Sequence, residues 1–273
     1  MLKTRIITAV VLVTFFAGLL FFASPFQWML FAAAVAAIGA WEWGALIRAA
    51  TAFRYAYAFG IALIVLFLAP SGLSGLGEVV ARTSFVVSGS FWLLVVPFWL
   101  RNRWQFDSVL VGAGVGVILL VPTALALILL RQSGAWILLA VMAAVWVADI
   151  GAFFVGRRFG RSKLAPMISP GKSREGAYGA IMAVWIYGAL VLVMGFRVAL
   201  GPVEWLAFLA VLAVLTVVSI MGDLFESLAK RQAGGKDSGT ILPGHGGVLD
   251  RIDSLTSALP FSALLLAASV PFH

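Results

Sequence analysis

Nine stretches of this chain are apolar for long enough, or nearly so, to cross a hydrocarbon core that takes roughly 20 helical residues. They lie at about 6–23, 26–47, 55–70, 84–100, 108–130, 134–155, 177–196, 203–224 and 254–272. In lipid every backbone N–H and C=O has to be satisfied within the structure, which leaves helices or a closed barrel. These unbroken Leu, Val, Ala and Phe runs lack the alternation of a barrel strand. They predict an all-α polytopic membrane protein, a bundle of about nine transmembrane helices without internal repeat or separate soluble domain. The charged share of 11% and mean hydropathy of +1.08 exclude a soluble globular domain. The first run follows Lys3 and Arg5 but has no A-x-A-like cleavage site, so it is expected to be a retained span.

Orientation follows from the basic residues. With the N-terminus inside, sixteen of the nineteen Lys and Arg fall in inner segments, and only Arg82, Arg131 and Arg197 fall outside. This asymmetry predicts a cytoplasmic N-terminus, and an odd helix count puts the C-terminus outside. Both long polar loops, 156–176 and 230–253, then face the cytoplasm. The protein is accordingly expected to be a multi-pass protein of the cytoplasmic (inner) membrane. With no cysteine and only His245 and His273, the chain has no Cys/His zinc site to build.

The second polar loop holds the chemistry. Residues 222–254 read GDLFESLAKRQAGGKDSGTILPGHGGVLDRIDS and contain five of the chain's eleven acids. Charges at membrane depth are costly and seldom kept without a task. A topology-determining loop needs Lys and Arg, not Asp223, Glu226, Asp237, Asp250 and Asp253. If the helix carrying Met221 continues to Arg231, then Asp223, Glu226, Ser227 and Lys230 share one face. The glycines that follow let backbone N–H groups approach an anion closely. Carboxylates from two helices beside Lys and Arg suit hard divalent cations that bridge to phosphates.

The first loop reads WVADIGAFFVGRRFGRSKLAPMISPGKSREGAYG. Here SPGKSREG is expected to be a turn leading into the seventh span, with Ser173 as N-cap. The GKS tripeptide is no P-loop, because Pro166 stands where the first glycine is required. Glu42, between Trp41 and Trp43, is expected to be an exposed acid in an interfacial anchor pair, with a part in shaping a substrate entrance as the alternative. His245, between Gly244 and Gly246, is expected to form a turn and hydrogen bonds rather than transfer protons.

The two loops together resemble the phosphatidate cytidylyltransferases, also called CDP-diacylglycerol synthases. In SLAKRQAGGKDSGTILPGHGGVLDRID the matching positions are Ser227, Lys230, Arg231, Lys236, Asp237, Gly239, Leu242, Pro243, His245, Gly246, Gly247, Asp250, Arg251 and Asp253. Upstream, Asp149, Gly156, Arg157, Phe159, Gly160, Ser169, Pro170, Lys172, Ser173, Glu175 and Gly176 match as well. The resemblance covers roughly residues 145–255; the earlier spans match only in being apolar. Ala229 departs from the larger apolar residue usual before the Lys-Arg pair.

The resemblance implies transfer of a cytidylyl group from CTP to phosphatidic acid, with Mg²⁺ and a second cation, K⁺ or Mg²⁺. It implies a two-cation centre at Asp223 and Asp250. Lys230, Arg231, Lys236 and Arg251 would meet triphosphate or lipid phosphate, and His245 with its glycines would surround the leaving pyrophosphate. Lys172, Ser173, Ser227, Asp237, Gly244, Gly246 and Gly247 are expected in nucleotide binding. The chain is expected to be a single integral membrane domain over 1–273, with N-terminal spans in 1–130 and a catalytic half in 134–273. Membrane lipids and a second copy of the chain are expected partners, and nucleic acid is not.

Three rival readings differ in how far the sequence separates them, the first two only through the family pattern. A CTP-dependent polyprenol kinase, or a cytidylyltransferase for another lipid phosphate, would use similar loops. An ion or phosphate transporter would spread its charges among mid-span positions instead of collecting them at one membrane face.

Overall fold

The computed structural model of the chain describes residues 2–69 and 76–269. The helices are α1 (Leu2–Phe22), α2 (Pro25–Leu46), α3 (Thr51–Leu68) and α4 (Leu76–Ser90). A single π-helical turn, Phe91–Val95, carries α4 into α5 (Val96–Asn102). Then come α6 (Val109–Ser133), α7 (Ala135–Phe159), α8 (Arg174–Leu190), α9 (Pro202–Ala233), α10 (Leu249–Ile252) and α11 (Leu255–Ser269). Their ends follow local chemistry. Ser24 and Gln27 form a reciprocal capping box ahead of α2, with Pro25 in its first turn. Gly234, at φ 85°, closes α9 in the left-handed conformation.

Among the described residues seven helices are long and apolar enough to cross a membrane, and the shorter apolar helices Ile6–Phe22 and Leu255–Ala268 occupy the places of the first and last expected spans. His273, on which the placement of the C-terminus turns, lies outside the described residues. The most enclosed helix is α6, packed among α2, α3, α4, α7 and α11. On α3, by contrast, Phe59 and Phe67 point outward, as a lipid-facing surface requires.

The expectation of helices alone needs one correction. Residues 163–173 form an antiparallel hairpin of β1 (Lys163–Ala165) and β2 (Ser169–Ser173), with Lys163 opposite Ser173. The segment SPGKS is therefore a strand, not a turn; Pro170 and Gly171 are tolerated because the hairpin has two strands, both edges. Ser173 then caps α8 as expected, its Oγ accepting from the Gly176 N–H.

An aromatic cluster fixes the polar end of α9. Phe225 meets Phe91, Trp92, Trp99 and Phe106 edge-on and lies parallel to Trp43. Such pairs contribute about 0.5–1.5 kcal/mol each beyond area burial. Helices α2, α5 and α9 and the π-helical turn are thereby locked where the acidic stripe of α9 begins.

Candidate active site

Helix α9 does continue past Met221 to Ala233, so Asp223, Glu226, Ser227 and Lys230 share a face. The hairpin and the loop after α9 fold onto that face. From β2, Lys172 places Nζ 2.5 Å from Asp223 Oδ2, while Ser227 donates to Asp223 Oδ1 at 3.1 Å. One turn on, Lys230 Nζ lies 3.1 Å from Glu226 Oε1 and donates to Asp250 Oδ1 at 2.8 Å. Two lysines thus sit on carboxylates at one end of the bundle. Asp149 on α7 and Asp253 after α10 are within electrostatic reach of Asp223.

The two aspartates differ in surroundings. Asp223 keeps a quarter of its side chain exposed (26%), whereas Asp250 keeps 6%. Asp250 Oδ2 accepts from the Ser238 N–H (2.9 Å), the Ser238 hydroxyl (3.0 Å) and the Gly247 N–H (2.8 Å). Burial pushes the Asp250 carboxyl up, but Lys230 and the N–H groups of Gly247 and Ser238 outweigh it and hold it below the usual range. Burial and the neighbouring Asp223 carboxylate push Asp253 up to about 7. Glu226, 3% exposed, leaves Oε2 with no hydrogen-bond partner among the described residues.

The donor set fits a hard divalent cation at Asp223. It is partly open, hard-oxygen and acidic around, and it already carries a cation, the Lys172 ammonium. Among the described residues no three His, Cys, Asp or Glu side chains form a closed metal cage. Mg²⁺ does not need one, since it takes one or two carboxylates and completes its shell with water and phosphate. Asp250 fits less directly: its acceptor positions are filled by four donors, and only Oδ1, shared with Lys230, is open to exchange. It also holds the loop together through Ser238 and Gly247.

The remaining predicted residues divide into two groups. Arg231 donates to the Gly235 carbonyl at 3.2 Å, and Arg251 places Nε and a terminal nitrogen on the His245 carbonyl at 3.1 and 2.7 Å. His245 donates its N–H to the Leu242 carbonyl, and the Leu242 N–H donates to the Gly246 carbonyl, so the histidine sits in a tight turn as expected. Gly244 and Gly246 flank it at φ 74° and 81°. Lys236 and Asp237 are exposed on the loop. A cavity of about 320 Å³ lies between α5, the hairpin and α9, lined by Leu100, Met167, Ile168 and Leu224 with Arg101 and Arg103.

Sequence reasoning missed Glu42 and Ser238. Glu42 is buried (1% exposed), not an exposed interfacial acid. The signal that points to it is the one that points to the loop: a single carboxylate inside an apolar span has to be matched by donors.

Residues 3–269 match the sequence profile of the cytidylyltransferase family. The chain belongs to the cytidylyltransferase family. Among its relatives, the phosphatidate cytidylyltransferase of Pseudomonas aeruginosa is 43% identical over 98% of both chains. That of Haemophilus influenzae is 33% identical over 96% of this chain and 97% of its own. The Bacillus subtilis phosphatidate cytidylyltransferase is 34% identical over 76% of this chain and 77% of its own. Family membership therefore spans the N-terminal helices too, beyond the segment 145–255 in which the motifs are legible.

Proposed function

We propose that the chain transfers the cytidylyl group of CTP to phosphatidic acid, giving CDP-diacylglycerol and pyrophosphate for phospholipid biosynthesis. The observation that carries this reading is the pair of lysine–carboxylate contacts, Lys172 on Asp223 and Lys230 on Asp250 and Glu226, brought together from the two polar loops. Similarity to phosphatidate cytidylyltransferases over nearly the whole chain supports it. In the reaction a phosphate oxygen of the lipid attacks the α-phosphorus of CTP. One P–O bond forms there as the bond to the oxygen bridging to the β-phosphate breaks, and pyrophosphate leaves. The nucleophile is already ionised, so the protein's work is to align two anions and offset their charge.

Asp223, with Asp250 through Oδ1, would hold Mg²⁺ and a second cation; bound there, they neutralise charge developing on the phosphates. Lys172 and Lys230 supply further positive charge in reach of the same acids, and exposed Arg231 and Lys236 extend it along the loop. Ser173 and Ser227 orient Gly176 and Asp223, and Asp237, Gly244, Gly246 and Gly247 shape the nucleotide's side of the loop. His245 offers its ring to the leaving pyrophosphate, with Arg251 securing its carbonyl. The cavity beside Leu224 combines apolar walls with two arginines, the chemistry of a phosphate attached to acyl chains.

The chain crosses the inner membrane nine times in this reading, N-terminus in the cytoplasm. Two contacts support the alternation. Arg48 donates to the Gln232 carbonyl, and Arg131 donates to the carbonyls of Leu20 and Ala23. Each joins helix ends that alternation puts on one side. The test of function is purified protein with labelled CTP and a panel of lipid phosphates and lipid alcohols. Cytidylylated lipid plus pyrophosphate is the expected product; phosphorylated lipid plus CDP would make the protein a kinase.

A further inference from the structure

Glu42 lies on α2, outside the segments that carry the family motifs, yet the motif loop closes on it. Its Oε2 accepts from the Leu249 N–H at 2.7 Å and lies 3.1 Å from the Ser238 hydroxyl, whose single proton it shares with Asp250, and its Oε1 accepts from the Val248 N–H at 3.0 Å. No side chain of α10 itself caps its start at Val248. Glu42 therefore satisfies free N–H groups of that turn from another helix. The backbone comes so near that a Cβ on Gly239 would lie 2.7 Å from Glu42 Oε1, and one on Gly247 2.6 Å from the same atom. A buried carboxylate is costly unless hydrogen-bonded, and the two backbone N–H groups with the shared hydroxyl proton offset that cost. On its other side the loop is held by Asp250, which meets the same Ser238 hydroxyl.

We propose that Glu42 is a positioning residue for the transfer reaction. It fixes residues 238–249 against α2, and with them Asp250 and the Lys230 ammonium that Asp250 holds. Its part in the reaction rests on the function proposed above; its hold on the loop does not. Glu42→Gln keeps the volume but sets an amide NH₂ against at least one backbone N–H, so it separates packing from acceptance of hydrogen bonds.

The experiment compares wild type and Glu42→Gln in detergent by hydrogen exchange and by steady-state kinetics. Peptides covering 236–250 should exchange at least tenfold faster in the variant, with α6 and α7 unchanged. The kcat should fall at least tenfold while KM for CTP stays within threefold. Unchanged loop exchange, faster exchange throughout the helices, or a faster-exchanging loop with normal kcat would each overturn the proposal. If wild type transfers no cytidylyl group but the loop still loosens, the proposed function fails and the hold on the loop stands. Should Glu42→Gln not accumulate, Glu42→Asp, which keeps the charge but draws the carboxylate back from the Val248 and Leu249 N–H groups, decides on the same criteria.

Discussion

Asp223→Asn and Asp250→Asn should both stop turnover but differ in stability, because the two carboxylates are held differently. Asp223 is a quarter exposed and has two polar contacts, with Lys172 and Ser227. An ion pair at that exposure contributes about 0–1 kcal/mol, so Asp223→Asn should cost no more than about 1 kcal/mol. Asp250 is 6% exposed and accepts from Lys230, from the Ser238 and Gly247 N–H groups and from the Ser238 hydroxyl it shares with Glu42. An asparagine can keep the three at Oδ2 only by putting its oxygen there, which turns its NH₂ toward the Lys230 ammonium. The charge-assisted bond is then lost, about 1.5–3 kcal/mol, and a donor faces a donor. Breaking a buried pair outright costs about 3–5 kcal/mol; Lys230 keeps Glu226, so about 2–3 kcal/mol is expected. The assay is denaturant unfolding of both variants in one detergent, alongside turnover at saturating Mg²⁺. Equal destabilisation of the two, or an Asp250→Asn protein as stable as wild type, would refute the reasoning. Near-normal turnover in either would remove that aspartate from the proposed cation site.

Other variants test neighbouring parts of the site. Arg251→Lys keeps the charge but loses the two-nitrogen grip on the His245 carbonyl; loss of about 1.5 kcal/mol predicts a roughly tenfold lower kcat/KM, and unchanged kinetics would show that the grip does not matter. Gly246→Ala combines a left-handed φ of 81° with a Cβ 2.6 Å from Asp250 Oδ2, so it should destabilise by at least about 1–2 kcal/mol and lower turnover, measured by the same unfolding and product assays. A reporter fused after His273 should read extracytoplasmic, and one inserted in the loop 156–174 cytoplasmic; the opposite result for either overturns the nine-span arrangement.

The family motifs and the membrane-spanning helices were legible in the sequence because both are local. Apolar runs report their own solvent, and the stripe Asp223, Glu226, Ser227, Lys230 needs only helical periodicity, which α9 supplies. Ser173 as N-cap and His245 in a turn were legible for the same reason, each being set within a few residues of chain. The hairpin was not: Pro170 and Gly171 signal a turn, and only the pairing of Lys163 with Ser173 shows that SPGKS is extended. What the carboxylates do was likewise beyond one-dimensional reading. Asp223 meets Lys172 across 51 residues of sequence, and Glu42 meets Leu249 across 207. Sequence spacing is blind to such contacts, since β2 folding onto α9 and α10 folding onto α2 bring the partners together. The sequence by itself determined that acids and lysines would gather at one end of a helical bundle. Only the tertiary structure decided which acid is open to a cation, which is spent on the loop, and that an acid of α2 holds that loop, because each answer depends on which donors surround a carboxylate once water is excluded.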